Sequence, residues 1–172
     1  YFGLSNESAW GTYTWLQAAK NGNRPRVLSI QNEYSLLCRL FDLDLAELCH
    51  HEKIDLLAFS PLAAGLLTGK YKGGIETPVA SRKLASPELG GRLTDRVWPA
   101  IDAYLDVAQR YGVDPIHMAL SWAMHRPFMG SVIFGATSQD QLEHIVSGAD
   151  LLLSDELVKE IDAVHKLHPM PF

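Results

Sequence analysis

Four short apolar runs in this chain each end at a junction that carries polar or glycine residues and leads toward a helix or a long loop. In chain order the junctions are Leu4-Ser5-Asn6, Ile30-Gln31-Asn32-Glu33-Tyr34, Phe59-Ser60-Pro61-Leu62 with Gly65, and Phe134-Gly135-Ala136-Thr137-Ser138. The first three runs recur about every 28 residues, which is the size of a βα unit. Strands that alternate with helices favour a parallel sheet with right-handed crossovers. All four junctions are therefore expected at one edge of one sheet, the edge where barrel-like βα folds bind ligands.

The pattern predicts an α/β fold with about four parallel strands and flanking helices. The predicted strands cover residues 1–4, 27–31, 55–60 and 131–134. The first predicted helix begins at a cap, Ser5 or Asn6, and reaches residue 20; two more cover 42–52 and run from Val97 to Gly112. Three further helices are predicted to begin after the caps Asp114, Ser138 and Ser154, with Ser138 in a capping box with Gln141. An open sheet of four strands has two unpaired edges and an apolar face, which normally have to be covered. We therefore expect the chain to be half of a larger fold or to pair with a copy of itself.

Composition narrows the class of protein and its partners. The 172 residues are 47% hydrophobic and 20% charged, which predicts a single soluble domain over 1–172. The net charge of −5 argues against nucleic acid as a partner, and no apolar run is long enough to cross a bilayer. Two cysteines without disulfide or metal spacing predict a reducing, cytoplasmic location. The first residue is Tyr1 and not methionine, which leads us to expect processing or a longer parent chain.

The segment 61–93 interrupts the βα rhythm and is rich in glycine and proline. A loop of this length in a compact domain is usually functional or disordered. Residues 70–96 hold six basic and three acidic side chains, a local charge of +3 on an otherwise acidic chain. This excess predicts either a local anion site or an ordinary solvated loop, and charge alone favours the solvated loop.

Three of the junctions have features that suit a nucleotide. Gly135, Thr137 and Ser138 at a helix N-terminus form either a phosphate site or an ordinary helix cap, and spacing does not separate the two. The small residues from Ser60 to Gly65 can hold a pyrophosphate with Lys70 nearby, or form a generic loop. Two side chains at strand ends also have two interpretations each. Gln31 either pairs with an amide or polar ring or caps its strand, and Phe59 either stacks on a flat heterocycle or belongs to the core.

A reaction centre is not evident from the sequence. The seven histidines fall mostly in helices without a carboxylate at useful spacing, and they are predicted to be solvated. His50-His51-Glu52 lacks the i, i+4 spacing of a metal motif. We predict no catalytic set and no metal site, only binding features.

Taken together, the junctions resemble the aldo-keto reductases, in particular the bacterial branch related to potassium-channel β subunits. The resemblance covers nearly the whole chain, through Phe2-Gly3-Leu4-Ser5-Asn6, Gln31-Asn32-Glu33-Tyr34-Ser35-Leu36-Leu37, Phe59-Ser60-Pro61-Leu62-Ala63, Leu67-Thr68-Gly69-Lys70-Tyr71, and Gly135-Ala136-Thr137 with Gln141-Leu142. It implies a (β/α)8 TIM barrel that binds NADP(H) without a Rossmann fold. This chain resembles strands five to eight, the C-terminal half-barrel.

The resemblance also implies roles for individual residues. Ser5, Asn6 and Gln31 would hold the nicotinamide amide, and Phe59 would stack on the nicotinamide ring. Around the pyrophosphate it places Ser60, Leu62, Ala63 and Lys70. The adenosine end would be bound by Arg82, which follows Ser81 in a basic pair, and by Gly135, Thr137 and Gln141. One departure affects this end, because Ile145, preceded by His144, stands where the family commonly has asparagine.

The catalytic Asp, Tyr, Lys and His of the family belong to strands two to four, and no part of this chain matches those strands. We therefore predict the cofactor-binding C-terminal half of an NADP(H)-dependent reductase of carbonyls to alcohols, inactive alone, whose partner is the missing N-terminal half. One alternative is a self-associating half-barrel, a homodimeric binding or structural module. Another is a regulatory module that binds NADPH without turnover and has a protein partner.

Overall fold

The protein was studied as a computed structural model, which describes residues 1–71 and 82–172. Its strands are β1 Phe2–Ser5, β2 Val27–Glu33, β3 Asp55–Phe59 and β4 Met129–Ile133. Its helices are α1 Ala9–Asn21, α2 Leu45–Glu52, α3 Arg82–Ala85, α4 Val97–Arg110, α5 Pro115–Met124, α6 Gln139–Ser147 and α7 Asp155–Leu167. Two 3-10 segments, Leu40–Asp42 and Ala63–Thr68, follow β2 and β3. Within this part of the chain no helix combines the length and apolarity needed to span a membrane.

The strands form one sheet in the order β1-β2-β3-β4, and every neighbouring pair is parallel. The predicted α/β architecture, four parallel strands of a partial (β/α) barrel with flanking helices, is thereby confirmed. Each predicted strand matches an observed one with ends within two residues. Parallel pairing follows because each strand is joined to the next by a helical connection, which returns the chain to the same end of the sheet.

Helices cover one face of the sheet and leave the other open. On the helix-covered face Ile30, Leu56 and Ala58 are completely buried. Ile30 pairs with Leu56 across β2 and β3, and Ala58 is the next residue of β3 on the same face. Residues that alternate with them point to the opposite face, since side chains along a strand alternate. There Leu57 and Phe59 are only half-buried. We call this second surface the open face.

Three of the four predicted helix caps are correct, and the first is wrong. Asp114, Ser138 and Ser154 each accept a backbone N–H of the first turn of α5, α6 and α7. For α1 the cap is Ser8, whose hydroxyl accepts the Gly11 N–H at 3.0 Å. Neither Ser5 nor Asn6 takes this part, because Ser5 still pairs with β2 and so the helix begins later.

The helix predicted from residue 42 begins later, at Leu45, after the 3-10 segment Leu40–Asp42. The Asp42 side chain does not cap it, because its carboxylate accepts the Tyr34 hydroxyl at 2.8 Å. Burial and the Asp42 carboxylate both raise the pKa of Tyr34, so this hydroxyl stays protonated and acts as a structural donor.

Candidate functional site

The register of the sheet brings predicted site residues together on the open face. Ser5 pairs with Gln31, and Gln31 pairs with Leu57, so the three form one layer across neighbouring strands. Phe59 belongs to the next layer toward the carboxyl ends of the strands, where it pairs with Glu33 of β2 and Ile133 of β4. Ser5, Gln31 and Phe59 therefore face the same way at the same edge of the sheet.

Asn6 extends this layer beyond the end of β1. Its N–H donates to the Gln31 carbonyl at 2.9 Å, and its side-chain amide donates to the Ser5 hydroxyl at 3.3 Å. The residue has a φ of 51°, a left-handed conformation that asparagine tolerates better than most residues. One hydroxyl and two side-chain amides are thus gathered at adjacent strand ends, where a carboxamide group can find both donors and acceptors.

The loop after β3 has an unusual backbone. Ser60, Ala63 and Ala64 have φ values of 53°, 47° and 57°, and Gly65 continues the left-handed run at 93°. Such conformations in non-glycine residues cost about 1–3 kcal/mol each and cluster at ligand-binding sites. The Ala63 N–H donates to the Ser60 carbonyl at 2.8 Å, which closes the turn.

Lys70 folds back over this loop. A Cβ built on Gly65 would lie 2.7 Å from the Lys70 ammonium nitrogen, so the lysine passes directly over the glycine backbone. The ammonium also lies 5.1 Å from the centre of the Tyr71 ring. A cation held across a turn of small residues suits a pyrophosphate, because the ammonium can donate charged hydrogen bonds to the phosphate oxygens.

The β4–α6 junction also retains an accessible backbone. A Cβ on Gly135 would meet nothing within 4 Å. The Gln141 side-chain oxygen accepts the Thr137 N–H at 2.9 Å and its hydroxyl at 3.1 Å. The predicted capping box is therefore correct for the Ser138 cap, but Gln141 reaches back to Thr137 and not to Ser138. Ile145 is the buried residue of α6, so position 145 serves packing instead of a polar contact.

The basic segment is partly used within the chain. Arg92 forms an ion pair with Glu33 at 2.8 Å, and Arg96 donates to the carbonyls of Pro169 and Met170. These two guanidinium groups hold the segment and the C-terminal residues near the end of β2, which reduces the charge available to an anion. Ser81 and the side chain of Arg82 lie outside the described residues.

The candidate site lies on the open face, where Ser5 is exposed and Gln31 and Phe59 are half-buried. Cavities of about 370 and 190 Å³ lie elsewhere in the described structure. The larger is lined by residues of α1, the connection to β2 and the end of α2, and the smaller by α5 and the start of α7. None of the residues predicted to bind cofactor lines either cavity. Full enclosure of a ligand on the open face would require a further wall.

His144 is exposed on α6, as the sequence predicts, but the structure also places it next to a carboxylate and to a second histidine. His144 Nε2 lies 3.2 Å from Asp114 Oδ2, and His117 Nε2 lies 2.6 Å from the His144 carbonyl. Asp114 and His117 are three residues apart and so share a helix face, which the sequence does reveal. Their meeting with His144 depends on how α5 packs on α6, and nothing local predicts it.

A second tyrosine, Tyr104, also has a raised pKa, and burial is the main cause. Tyr104 donates its hydroxyl to the Leu36 carbonyl at 2.9 Å inside the core, and burial raises its pKa to about 12. Like Tyr34, it is a buried structural donor.

Comparison with known proteins gives a consistent result. The family model described as "Aldo/keto reductase family" matches residues 1–166. The chain is 40% identical over 171 residues to "Protein tas" of Escherichia coli K12, which covers 99% of this chain and 49% of that protein. An "Aldo-keto reductase" of Babesia bovis is 34% identical over 172 residues, covering 96% and 60%. A "Putative voltage-gated potassium channel subunit beta" of Schizosaccharomyces pombe is 29% identical over 181 residues, covering 99% and 51%. The chain thus spans about half the length of the curated relatives it matches.

Proposed function

Because the chain belongs to the aldo/keto reductase family, we propose that it binds NADP(H) across the carboxyl ends of its four strands. The proposed parent activity is the reduction of an aldehyde or ketone to an alcohol, with the cofactor supplying the hydride when bound. The chain itself supplies binding and orientation. The observation that carries this proposal is that Ser5, Gln31 and Phe59 lie in two adjacent layers on the open face.

At the nicotinamide end, the polar groups of Ser5, Asn6 and Gln31 would hold the carboxamide. A carboxamide has two donors and two acceptor positions, and a glutamine side chain can satisfy both kinds at once. Phe59 lies one layer closer to the strand ends on the same face, where its ring would pack against the nicotinamide. This pairing of an amide layer with an aromatic layer would fix the orientation of the ring.

At the phosphate end, the turn that includes Ser60, Leu62 and Ala63 would follow the pyrophosphate. Lys70, already folded over Gly65, would neutralise its charge. Gly135, Thr137 and Gln141 would bind the adenosine end, supported by the N-terminus of α6, since the positive end of a helix dipole attracts anions. Arg82 is proposed to contact the 2′-phosphate.

We propose that the proton donor of the reaction comes from residues outside the 172 residues. The described strand residues of the open face include neither tyrosine nor histidine. Of the two acids among them, Glu33 is already paired with Arg92, and Asp55 lies at the opposite end of β3 from Phe59. General acid catalysis requires a donor within hydrogen-bond reach of the reacting oxygen. The chain alone is therefore expected to bind cofactor without turnover.

Cofactor binding is testable by fluorescence titration with NADPH and NADH. We expect tighter binding of NADPH, since a 2′-phosphate adds charge that Arg82 and the first turn of α6 can meet. Arg82→Ala should weaken NADPH more than NADH, by roughly tenfold for one charged hydrogen bond. Lys83→Ala is the matched control, because it removes an equal charge from the adjacent position.

Two outcomes would contradict this assignment. Equal affinity of the unaltered protein for NADPH and NADH would remove the phosphate preference. An unchanged NADPH/NADH ratio in Arg82→Ala, or an equal change in Lys83→Ala, would remove Arg82 from the site.

A second candidate is a binding module that does not catalyse. The open face favours it, because such a surface is normally covered by another chain. In one form the occupant is a copy of this chain; in another it is a different protein, in line with the name of the fission yeast relative. A complex that binds NADPH but reduces no carbonyl compound when the rest of a full-length relative is supplied would favour this candidate.

A further inference from the structure

We propose that Asp114, His117 and His144 form a binding site for a divalent transition-metal ion of the zinc class, joining α5 to α6. Each residue offers one ligand atom, and the three atoms lie within 4.8 Å of one another. The site uses none of the residues proposed to bind cofactor. Two imidazoles and a carboxylate are a donor set that suits zinc.

One pair of ligand atoms already has the spacing that an ion requires. His144 Nε2 and Asp114 Oδ2 are 3.2 Å apart. With metal–ligand distances of about 2.0–2.2 Å, neighbouring ligands of a tetrahedral ion lie about 3.3 Å apart. The pair can therefore bind one ion with little movement of either side chain.

The third ligand is oriented by the backbone. His117 Nε2 lies 2.6 Å from the His144 carbonyl, to which it can donate a hydrogen bond. A histidine that donates from one ring nitrogen keeps a lone pair on the other, and metal-binding histidines commonly make such a contact to a carbonyl. The His117 ring also stacks on the His144 ring, with centroids 4.7 Å apart.

Two further contacts hold the ligands in place. Asp114 Oδ1 accepts the N–H groups of Ile116 and His117 as the cap of α5, which leaves Oδ2 directed at His144. The His117 ring lies against Gly148, where a Cβ would be 2.2 Å from the ring. Preorganised side chains lose less freedom when the ion binds, which favours affinity.

The thiols of the chain are poor competitors for the same ion. Cys38 and Cys49 are both buried, and burial is the main cause that raises the pKa of each to about 11. Metal binding needs the thiolate, which is scarce at neutral pH when the pKa is this high. The thiols are therefore not expected to account for stoichiometric binding at pH 7, and the variants below assign the ion to the histidine cluster.

The experiment is a titration of the purified protein with Zn²⁺ against a chromophoric chelator, repeated with Co²⁺ to record its absorption spectrum. We expect one ion per chain and a Co²⁺ spectrum typical of four-coordinate nitrogen and oxygen ligation. His144→Gln and Asp114→Asn should each weaken Zn²⁺ binding at least about tenfold. His144 is exposed, and asparagine caps a helix as well as aspartate does, so both variants are expected to fold.

His51→Gln is the control, since it removes an exposed histidine outside the cluster. Its Zn²⁺ affinity should equal that of the unaltered protein. Zn²⁺ should also raise the Tm of the unaltered protein and of His51→Gln, but not that of His144→Gln, because an ion that binds only the folded state stabilises it. Absence of binding in the unaltered protein, or equal binding by His144→Gln, would overturn the proposal.

Discussion

At the scale of single residues, His165 links the folded state to pH. Burial, and next the nearby Arg39 guanidinium, lower the pKa of His165 below its ordinary value of 6.5, against the opposing effect of the Asp42 and Asp162 carboxylates. Arg39 is itself 4% exposed, stacked 4.2 Å above Trp122 and paired with Asp162 at 2.8 Å. Its charge is thus fixed in place, and protonation of His165 adds a second cation beside it.

The consequence is a loss of stability in mild acid. Between the lowered pKa of the folded state and about 6.5 the unfolded chain binds more protons at His165, so the free energy of unfolding falls as the pH falls through this window. His165→Gln should therefore show a smaller loss of unfolding free energy between pH 7.5 and pH 5, measured by urea titration. His50→Gln, at an exposed position, is the control. Identical pH profiles for His165→Gln and the unaltered protein would refute this explanation.

At the scale of elements, two glycines differ in whether the neighbouring helix leaves room for a side chain. A methyl group on Gly148, which ends α6, would collide with the His117 ring of α5, whereas one on Gly135 would meet open space. We expect Gly148→Ala to lower the free energy of unfolding by about 1–3 kcal/mol, the usual cost of overpacking. Gly135→Ala should change it by less than about 0.5 kcal/mol. Equal stability of the two variants in urea unfolding would contradict the assigned contact.

The elements were predictable where the signal is local. A cap such as Asp114 before Pro115, or a run such as Leu56 to Phe59, carries its own information on helix starts and buried strands. The cap of α1 was mispredicted because hydrogen bonds to β2 extend β1 to Ser5, and that pairing is not visible along the chain. The same limit explains the end of the predicted third strand, since Ser60 turns left-handed to begin the loop.

The candidate site also has one part that the sequence predicts and one part that depends on tertiary packing. Alternation along each strand and parallel pairing are enough to place Gln31 and Phe59 on one face, so their common position on the open face could be anticipated. The Lys70 contact with Gly65 and the Asp114–His144 pair could not, because each depends on a side-chain direction set by tertiary packing. Distances across different helices have no counterpart in spacing along the sequence.

At the scale of the whole molecule, the open face is the surface from which we predict the oligomeric state. Leu57 and Phe59 are half-buried there, and Ile133, in register with Phe59, is 40% exposed. A surface that joins apolar side chains to an unpaired sheet edge tends to be covered by another chain. In purified protein the available chain is a second copy, and two copies can meet through the same surface in a symmetric dimer.

We therefore expect light scattering coupled to size exclusion to show concentration-dependent dimers that a charge on the open face prevents. Ile133→Lys should elute as a monomer and keep its free energy of unfolding within about 0.5 kcal/mol, because the side chain is already exposed. Leu167→Lys, at a residue that is 77% exposed at the end of α7, is the control and should still dimerise. A monomeric unaltered protein would show that the open face needs no copy of this chain, and equal dissociation by both lysines would assign the contact to another surface.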